Sequence, residues 1–229
     1  MSLYCDLSES TLKHRVLPAF QKETAVQKSI RDFIEICRDN LPFDSPIYEF
    51  GAFTVPGQEA DAVRPLFPNH QYAGCDLREG YGVDKVLDLH ALDLSDNCAG
   101  SVLCLDTLEH VKNPQLAISE MFRVLRPGGI AIISSVFEFP IHNHPDDYWR
   151  FTPQGLRLLM SDFSPLEIFS YGRKEDSPQS VVGVGQKLGD LDMTAFCKLG
   201  REWEKWQSGL VRALWGCDPS DARSRRNPD

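Results

Sequence analysis

Four acids close short apolar runs: Glu49 in "PIYEFG", Asp76 in "QYAGCD", Asp88 in "DKVLDL" and Asp106 in "VLCLD". His110 follows Asp106 by four positions. His142 and His144 lie beside two aspartates, Tyr148, Trp149 and Arg150 in "IHNHPDDYWR". Carboxylates at strand ends suit the hydroxyl and amino groups of a nucleoside. Histidine suits proton transfer near neutral pH. The histidine-rich segment joins polar groups to flat aromatic faces, which fits a polar, glycan-like acceptor, while a surface loop tied down by His–Asp hydrogen bonds is its plain alternative.

The stretch "YEFGAFTVPGQE" decides which nucleoside. Dinucleotide folds use several glycines so that backbone can approach a pyrophosphate at a helix N-terminus. Here Gly51 is present, but Phe53 and Val55 stand where more glycines would be expected. Their side chains would obstruct a pyrophosphate, which disfavours a nicotinamide oxidoreductase. S-adenosylmethionine has no phosphate to place there. Asp76 lies about 20 residues beyond the loop, the distance at which an acid reaches ribose hydroxyls. Asp88 and Leu89 would then take the adenine amino group and ring, with Asp93 as a competing acid.

These residues need strands to carry them. "SPIYEFG", "QYAGCD", "DKVLDL", "AGSVLCLD" and "IAIISSV" read as strands, the last two near-continuously apolar as in a sheet covered on both faces. Asn113-Pro114 supplies a helix N-cap and a first-turn proline. Leu116, Ala117, Met121, Val124 and Leu125 form the helical face that follows, and "RPGG" is expected to stop it. This strand–helix–strand order is a right-handed parallel crossover. Thr152-Pro153 opens the helix "PQGLRLLMSDF", and "LEIFSY" with "SVVGVG" reads as an antiparallel hairpin. The expected class is α/β, with a doubly wound, mostly parallel sheet whose ligands lie beyond the strand C-termini.

Helical spacing of Val26, Ile30, Phe33, Ile34 and Cys37 predicts an N-terminal helix within an extension over 1–45, before a main domain over 46–186. An amphipathic helix follows over 187–216, with Phe196, Leu199, Trp203, Trp206, Leu210 and Ala213 in one stripe. That stripe either packs on its own domain, the preferred reading, or forms a homodimer seam. A disordered tail is expected over 217–229.

The run "VLCLDTLEHVKNPQLAISEMFRVLRPGGIAIISS" resembles the centre of class I S-adenosylmethionine-dependent methyltransferases of the methyltransferase-11 type. The resemblance implies a Rossmann-like seven-stranded sheet and methyl transfer from S-adenosylmethionine. It also places Glu49, Gly51 and Ala52 at the methionine end, Asp76 and Leu77 at the ribose, Asp88 and Leu89 at the adenine, and Asp106 by the sulfonium. His110 belongs to the family's "LEH", as a base or as a positional residue. The segment after the fifth strand, with His142, His144, Tyr148, Trp149 and Arg150, would bind the acceptor, and His144 is a second candidate base. Asp106, Glu109 and His110 also make a D-x-x-E-H array, with His142 or His144 available downstream, that could serve a hard divalent ion. The same letters recur in relatives read as metal-free, and no metal is assigned.

Methyl transfer to a small molecule or glycan, at oxygen, is the expectation. A catalytically inactive module that keeps the fold is its alternative, motivated by the missing loop glycines. A net charge of -9 gives no basic face for nucleic acid. No apolar run is long enough to span a bilayer. The start has no secretory core, and seven cysteines without a C-x-x-C pair form no disulfide framework, so a cytoplasmic setting is expected.

Overall fold

A computed structural model describes residues 19–215, apart from positions 58, 143–144, 173–175, 190 and 192. His144 and the 217–229 tail lie outside the described residues, as do the side chains of Val26, Leu210 and Ala213. The chain runs through helix α1 (Ala19–Asn40) and strands β1 (Ile47–Phe50), β2 (Tyr72–Asp76), β3 (Lys85–Val86) and β4 (Ala99–Cys104). Helix α2 (Pro114–Val124), strand β5 (Leu125–Val136) and helix α3 (Pro153–Leu159) follow. Strands β6 (Leu166–Tyr171) and β7 (Ser180–Gln186) and helix α4 (Met193–Trp215) complete it.

The seven strands lie in the order β3-β2-β1-β4-β5-β7-β6. β1 to β5 pair in parallel, and β7 pairs antiparallel with both β5 and β6. This is the seven-stranded α/β architecture that the sequence predicts. The chain travels outward from β1 to β3 and returns on the other side of β1 as β4. The crevice between β1 and β4 is therefore the topological switch point, where ligands of open α/β sheets bind.

Period-2 alternation sends neighbouring side chains to opposite faces of the sheet. Val102, Cys104, Ala131 and Ile133 face α2 and α3, meeting Ala117, Ile118, Met121, Leu156 and Met160. Leu103, Ile130, Ile132, Val182 and Val184 face α1 and α4, meeting Phe33, Ile34, Phe196, Leu199 and Trp203. Phe33 meets the Trp203 ring edge-on at 4.9 Å, and Trp203 stacks on Trp206 at 4.6 Å. Each fully buried side chain of this size is worth about 1.5–3 kcal/mol. The Trp206 indole donates to Asp32, which ties α4 to α1. The described part of the α4 stripe is thus spent within its own chain, leaving no unburied seam at Phe196, Leu199 or Trp203 for a homodimer.

Several local expectations need correction. Leu116 does not join the buried face of α2; it is exposed, and Ile118 is buried in its place. Asn113 caps the helix as expected, its Oδ1 accepting from the Leu116 amide at 3.1 Å. The helix ends at Val124, before "RPGG", and Leu125 already belongs to β5, paired with Ala99 ahead of a register shift. The buried Lys187 amino group donates to Phe122 O and Arg123 O, supplying the cation that the helix C-terminus favours. α3 ends at Leu159, and turns rather than helix carry Met160 and Phe163 into the core. β3 has only two residues because its partner β2 ends at Asp76, so Asp88 stands beyond the strand.

Candidate functional site

Among the described residues no α-helix lies between β1 and β2; residues 59–61 and 64–66 make only short 3-10 turns. That explains the departure from the glycine-rich pattern. With no helix N-terminus to bring against a phosphate, the loop places only Gly51 and Gly57, among its described residues, at positive φ. Gly51 is the one that meets the crevice. Its φ is +85°, and a Cβ there would lie 2.0 Å from Thr107 Oγ1. Gly51 leaves β1 and Thr107 leaves β4, so this close approach forms the floor of the switch-point crevice.

Above it lies a cavity of about 470 Å³, within the range of small-molecule and cofactor sites. Glu49, Gly51, Ala52, Asp76, Leu77, Asp88, Leu89, Asp106, His110 and His142 all line it. Phe53 also lines the cavity but does not fill it. Its ring packs toward Gly80 and under the Arg78 guanidinium, 4.3 Å from the ring centre. Asp93 is absent from the lining, so Asp88 is the acid that faces the crevice at this strand end.

The acids differ in surroundings. Asp76 accepts from the Arg78 amide at 3.0 Å and from the Phe53 amide at 3.3 Å, which fixes the loop around its carboxylate. Asp88 accepts from the His90 amide at 2.9 Å and lies 2.7 Å from His90 Nδ1. Those backbone and histidine contacts hold its carboxyl below the ordinary range. His90 Nε2 in turn accepts from the Asn113 amide, linking the end of β3 to the cap of α2. Glu49 accepts from the Tyr72 hydroxyl at 2.7 Å, and loss of water pushes its carboxyl upward despite that bond and the Arg64 charge.

Asp106 has φ +44° and a reciprocal pair of bonds with Ser134, whose hydroxyl donates to Oδ1 and accepts from the Asp106 amide. Glu109 is completely buried, and its Oε2 accepts from the Ser135 hydroxyl at 2.6 Å. Burial raises both carboxyls, and the repulsion of Asp106 raises Glu109 further.

The segment after β5 is tied to the turn at Leu108–His110 by main-chain bonds. The Tyr148 and Trp149 amides both donate to Glu109 O, and the Trp149 indole donates to Val111 O. Asp147, whose side chain is 1% exposed, accepts from the His142 amide and from both Arg150 terminal nitrogens. Tyr148, Trp149 and Arg150, expected to bind the acceptor, are not among the residues that line the cavity. They are the pins of the loop that delivers His142. His142 and His110 meet edge-to-face at 4.7 Å.

Sequence reasoning missed several lining residues. Thr107, Phe139 and Pro145 come from loops whose path no local pattern reveals. Ile30 and Arg31 arrive from α1, far away in sequence, through the packing of that helix on the sheet. Glu109 had a signal in its position between Asp106 and His110, but its burial had none.

Residues 58–133 match the family model described as a methyltransferase domain. Among curated proteins none matches the sequence significantly. Solved structures with a similar fold include a possible histamine N-methyltransferase of Thermotoga maritima, at 18% identity and a TM-score of 0.53, covering 73% of this chain and 94% of that one. Another is the 1,6-didemethyltoxoflavin-N1-methyltransferase of Burkholderia thailandensis with bound S-adenosylhomocysteine, at 20% identity and 0.54, covering 75% and 83%. The CurJ carbon methyltransferase is similar at 15% identity and 0.53, covering 76% and 60%. At these identities the likeness is one of fold, and it is the same sheet that holds the matched segment. The cavity suits the cofactor: strand-end acids for hydroxyl and amino groups, and room beside Phe53 where no phosphate must sit. Residues 58–133 thus match a methyltransferase domain, and the sheet that holds them is similar in fold to solved S-adenosylmethionine-dependent methyltransferases.

Proposed function

We propose that this chain methylates a hydroxyl of a small-molecule or glycan acceptor, held between the cofactor and the His110–His142 pair. The observation that carries the reading is the shared lining of one cavity by the strand-end acids on one side and both histidines on the other. S-adenosylmethionine, when bound, supplies an activated methyl group, whose transfer leaves S-adenosylhomocysteine. Asp76 would hold the ribose hydroxyls, Asp88 and Leu89 the adenine, and Glu49 with the Gly51–Ala52 backbone the methionine end. Asp106 would face the sulfonium. His110 and His142 would orient the acceptor and take its hydroxyl proton as the new carbon–oxygen bond forms. Phe139 and the edge of the histidine pair offer flat faces for a ring-bearing acceptor. The described cysteines Cys37, Cys75 and Cys104 are buried thiols within the core, in keeping with work in a reducing cytoplasm. No helix among the described residues is long and apolar enough to cross a membrane.

Titration calorimetry with S-adenosylmethionine, S-adenosylhomocysteine and NAD tests the cofactor assignments. The first two should bind at micromolar concentration and NAD should not. Asp76→Ala should weaken S-adenosylhomocysteine binding by roughly 1–3 kcal/mol. Wild-type affinity in a folded Asp76→Ala variant would remove the ribose assignment. Turnover across a panel of hydroxyl, amine and carbon acceptors tests the rest, and preference for an amine would overturn O-methylation.

A further inference from the structure

Within the cavity lining, Glu109, His110 and His142 each offer one ligand-type atom, and these atoms all lie within 4.8 Å of one another. His110 Nε2 is 4.0 Å from Glu109 Oε1. This grouping keeps Glu109, His110 and one of the two downstream histidines that the sequence offers, His142, but not Asp106, which turns to Ser134.

Each member is held from behind. Glu109 Oε2 is fixed by the Ser135 hydroxyl, while Oε1 is buried with no hydrogen-bond partner among the described residues. A buried carboxylate oxygen left so is costly, and native sites of this kind usually await an ion, a water or a ligand. His110 Nδ1 lies 2.6 Å from Asp146 O. His142 Nδ1 lies 3.2 Å from both Pro140 O and Asp147 Oδ2. An Nδ1 proton directed at such acceptors places the neutral ring's lone pair on Nε2, the arrangement that orients metal-binding histidines.

We propose that Glu109, His110 and His142 bind a divalent transition-metal ion of the zinc type at the acceptor end of the cavity. Two imidazoles and one carboxylate favour such an ion over magnesium or calcium, which prefer all-oxygen shells. Three ligands among the described residues leave coordination open, as in catalytic rather than structural sites. If the methyl-transfer reading holds, the acceptor's donor atom would complete the shell there, and with both Nε2 lone pairs on the ion, the ion's polarisation of the hydroxyl would replace the proton transfer to the histidines.

Co²⁺ is the probe, because its visible d–d bands report coordination independently of turnover. Chelator-treated full-length protein should take up one Co²⁺ per chain with such bands, and Zn²⁺ should displace it. His142→Ala, on the loop, and Glu109→Gln, in the core, should each weaken Co²⁺ binding at least about tenfold. Circular dichroism with thermal unfolding of the same samples reports whether each variant is folded, and His142→Ala decides the matter if Glu109→Gln is not; S-adenosylhomocysteine titration is read separately. Absence of bands in the wild type, or bands undiminished in His142→Ala, would overturn the site. So would thiolate charge-transfer bands, which put the ion on a cysteine, or uptake of Mg²⁺ in preference to Co²⁺. Co²⁺ binding without S-adenosylhomocysteine binding would leave the metal site standing and sink the methyltransferase reading of the cavity.

Discussion

On one side of the cavity, Asp76 and Asp88 accept hydrogen bonds from amides two residues further along their own loops. On the other side Glu109 is wholly buried, with one oxygen unmatched, and its neighbour His142 is delivered by a distant loop. The first side is built by strand ends, which carry their acids to the crevice wherever the sheet forms. The second depends on Asp147, Trp149 and Arg150 holding one segment against another. Strand-end chemistry is thus as robust as the sheet, while the chemistry opposite is as robust as its tethers.

The sharpest way to break this contrast is to disturb the floor both sides share. Gly51→Ala places a Cβ against Thr107 at positive φ, and should destabilise the fold by about 2–4 kcal/mol in urea unfolding. Adding Thr107→Ala removes the two nearest atoms and should recover only the steric part, because the backbone penalty stays. Full recovery would show that φ at Gly51 carries no cost.

Next in size is the tether. The Arg150 hydrogen bonds, helped by the His142 amide, hold the Asp147 carboxyl down to about 2. A carboxyl depressed on folding contributes stability that is fully present above its unfolded pKa, near 4, and is lost as pH falls through about 2. Asp147→Asn should therefore cost about 2 kcal/mol at neutral pH, with the two proteins converging under acid. A difference that persisted unchanged at low pH would mean that the ion pair is not its source.

The smallest effect belongs to the strand-end side. Tyr72→Phe removes the hydroxyl that donates to Glu49, and should cost about 1 kcal/mol. Glu49 is already raised by burial, so the deficit should be slight in acid, where it is protonated, and should grow as pH rises through the carboxylate range. Unfolding measured across that range would detect it, and a flat difference would detach Tyr72 from the Glu49 charge.

Much of the scaffold was legible because it is written in local periodicity. The buried strands β4 and β5, the Asn113 and Thr152 caps and the antiparallel pair β6–β7 follow from apolar runs, capping residues and turn chemistry. Leu125 escaped because the helix ended sooner than its apolar spacing implied, and Leu116 because the first turn of α2 leaves it exposed. "DKVLDL" yielded only two paired residues because pairing length belongs to the neighbour, not to the run itself.

The sequence by itself determined the strands and set Glu49, Asp76, Asp88 and Asp106 at or just past the ends of apolar runs, since such a run is a property of one short segment. Only the tertiary structure decided that His142 meets Glu109 and His110, that Tyr148, Trp149 and Arg150 serve as pins, and that α1 reaches the cavity. Those contacts join segments far apart along the chain, and their geometry is set by burial and hydrogen bonding that no local pattern encodes.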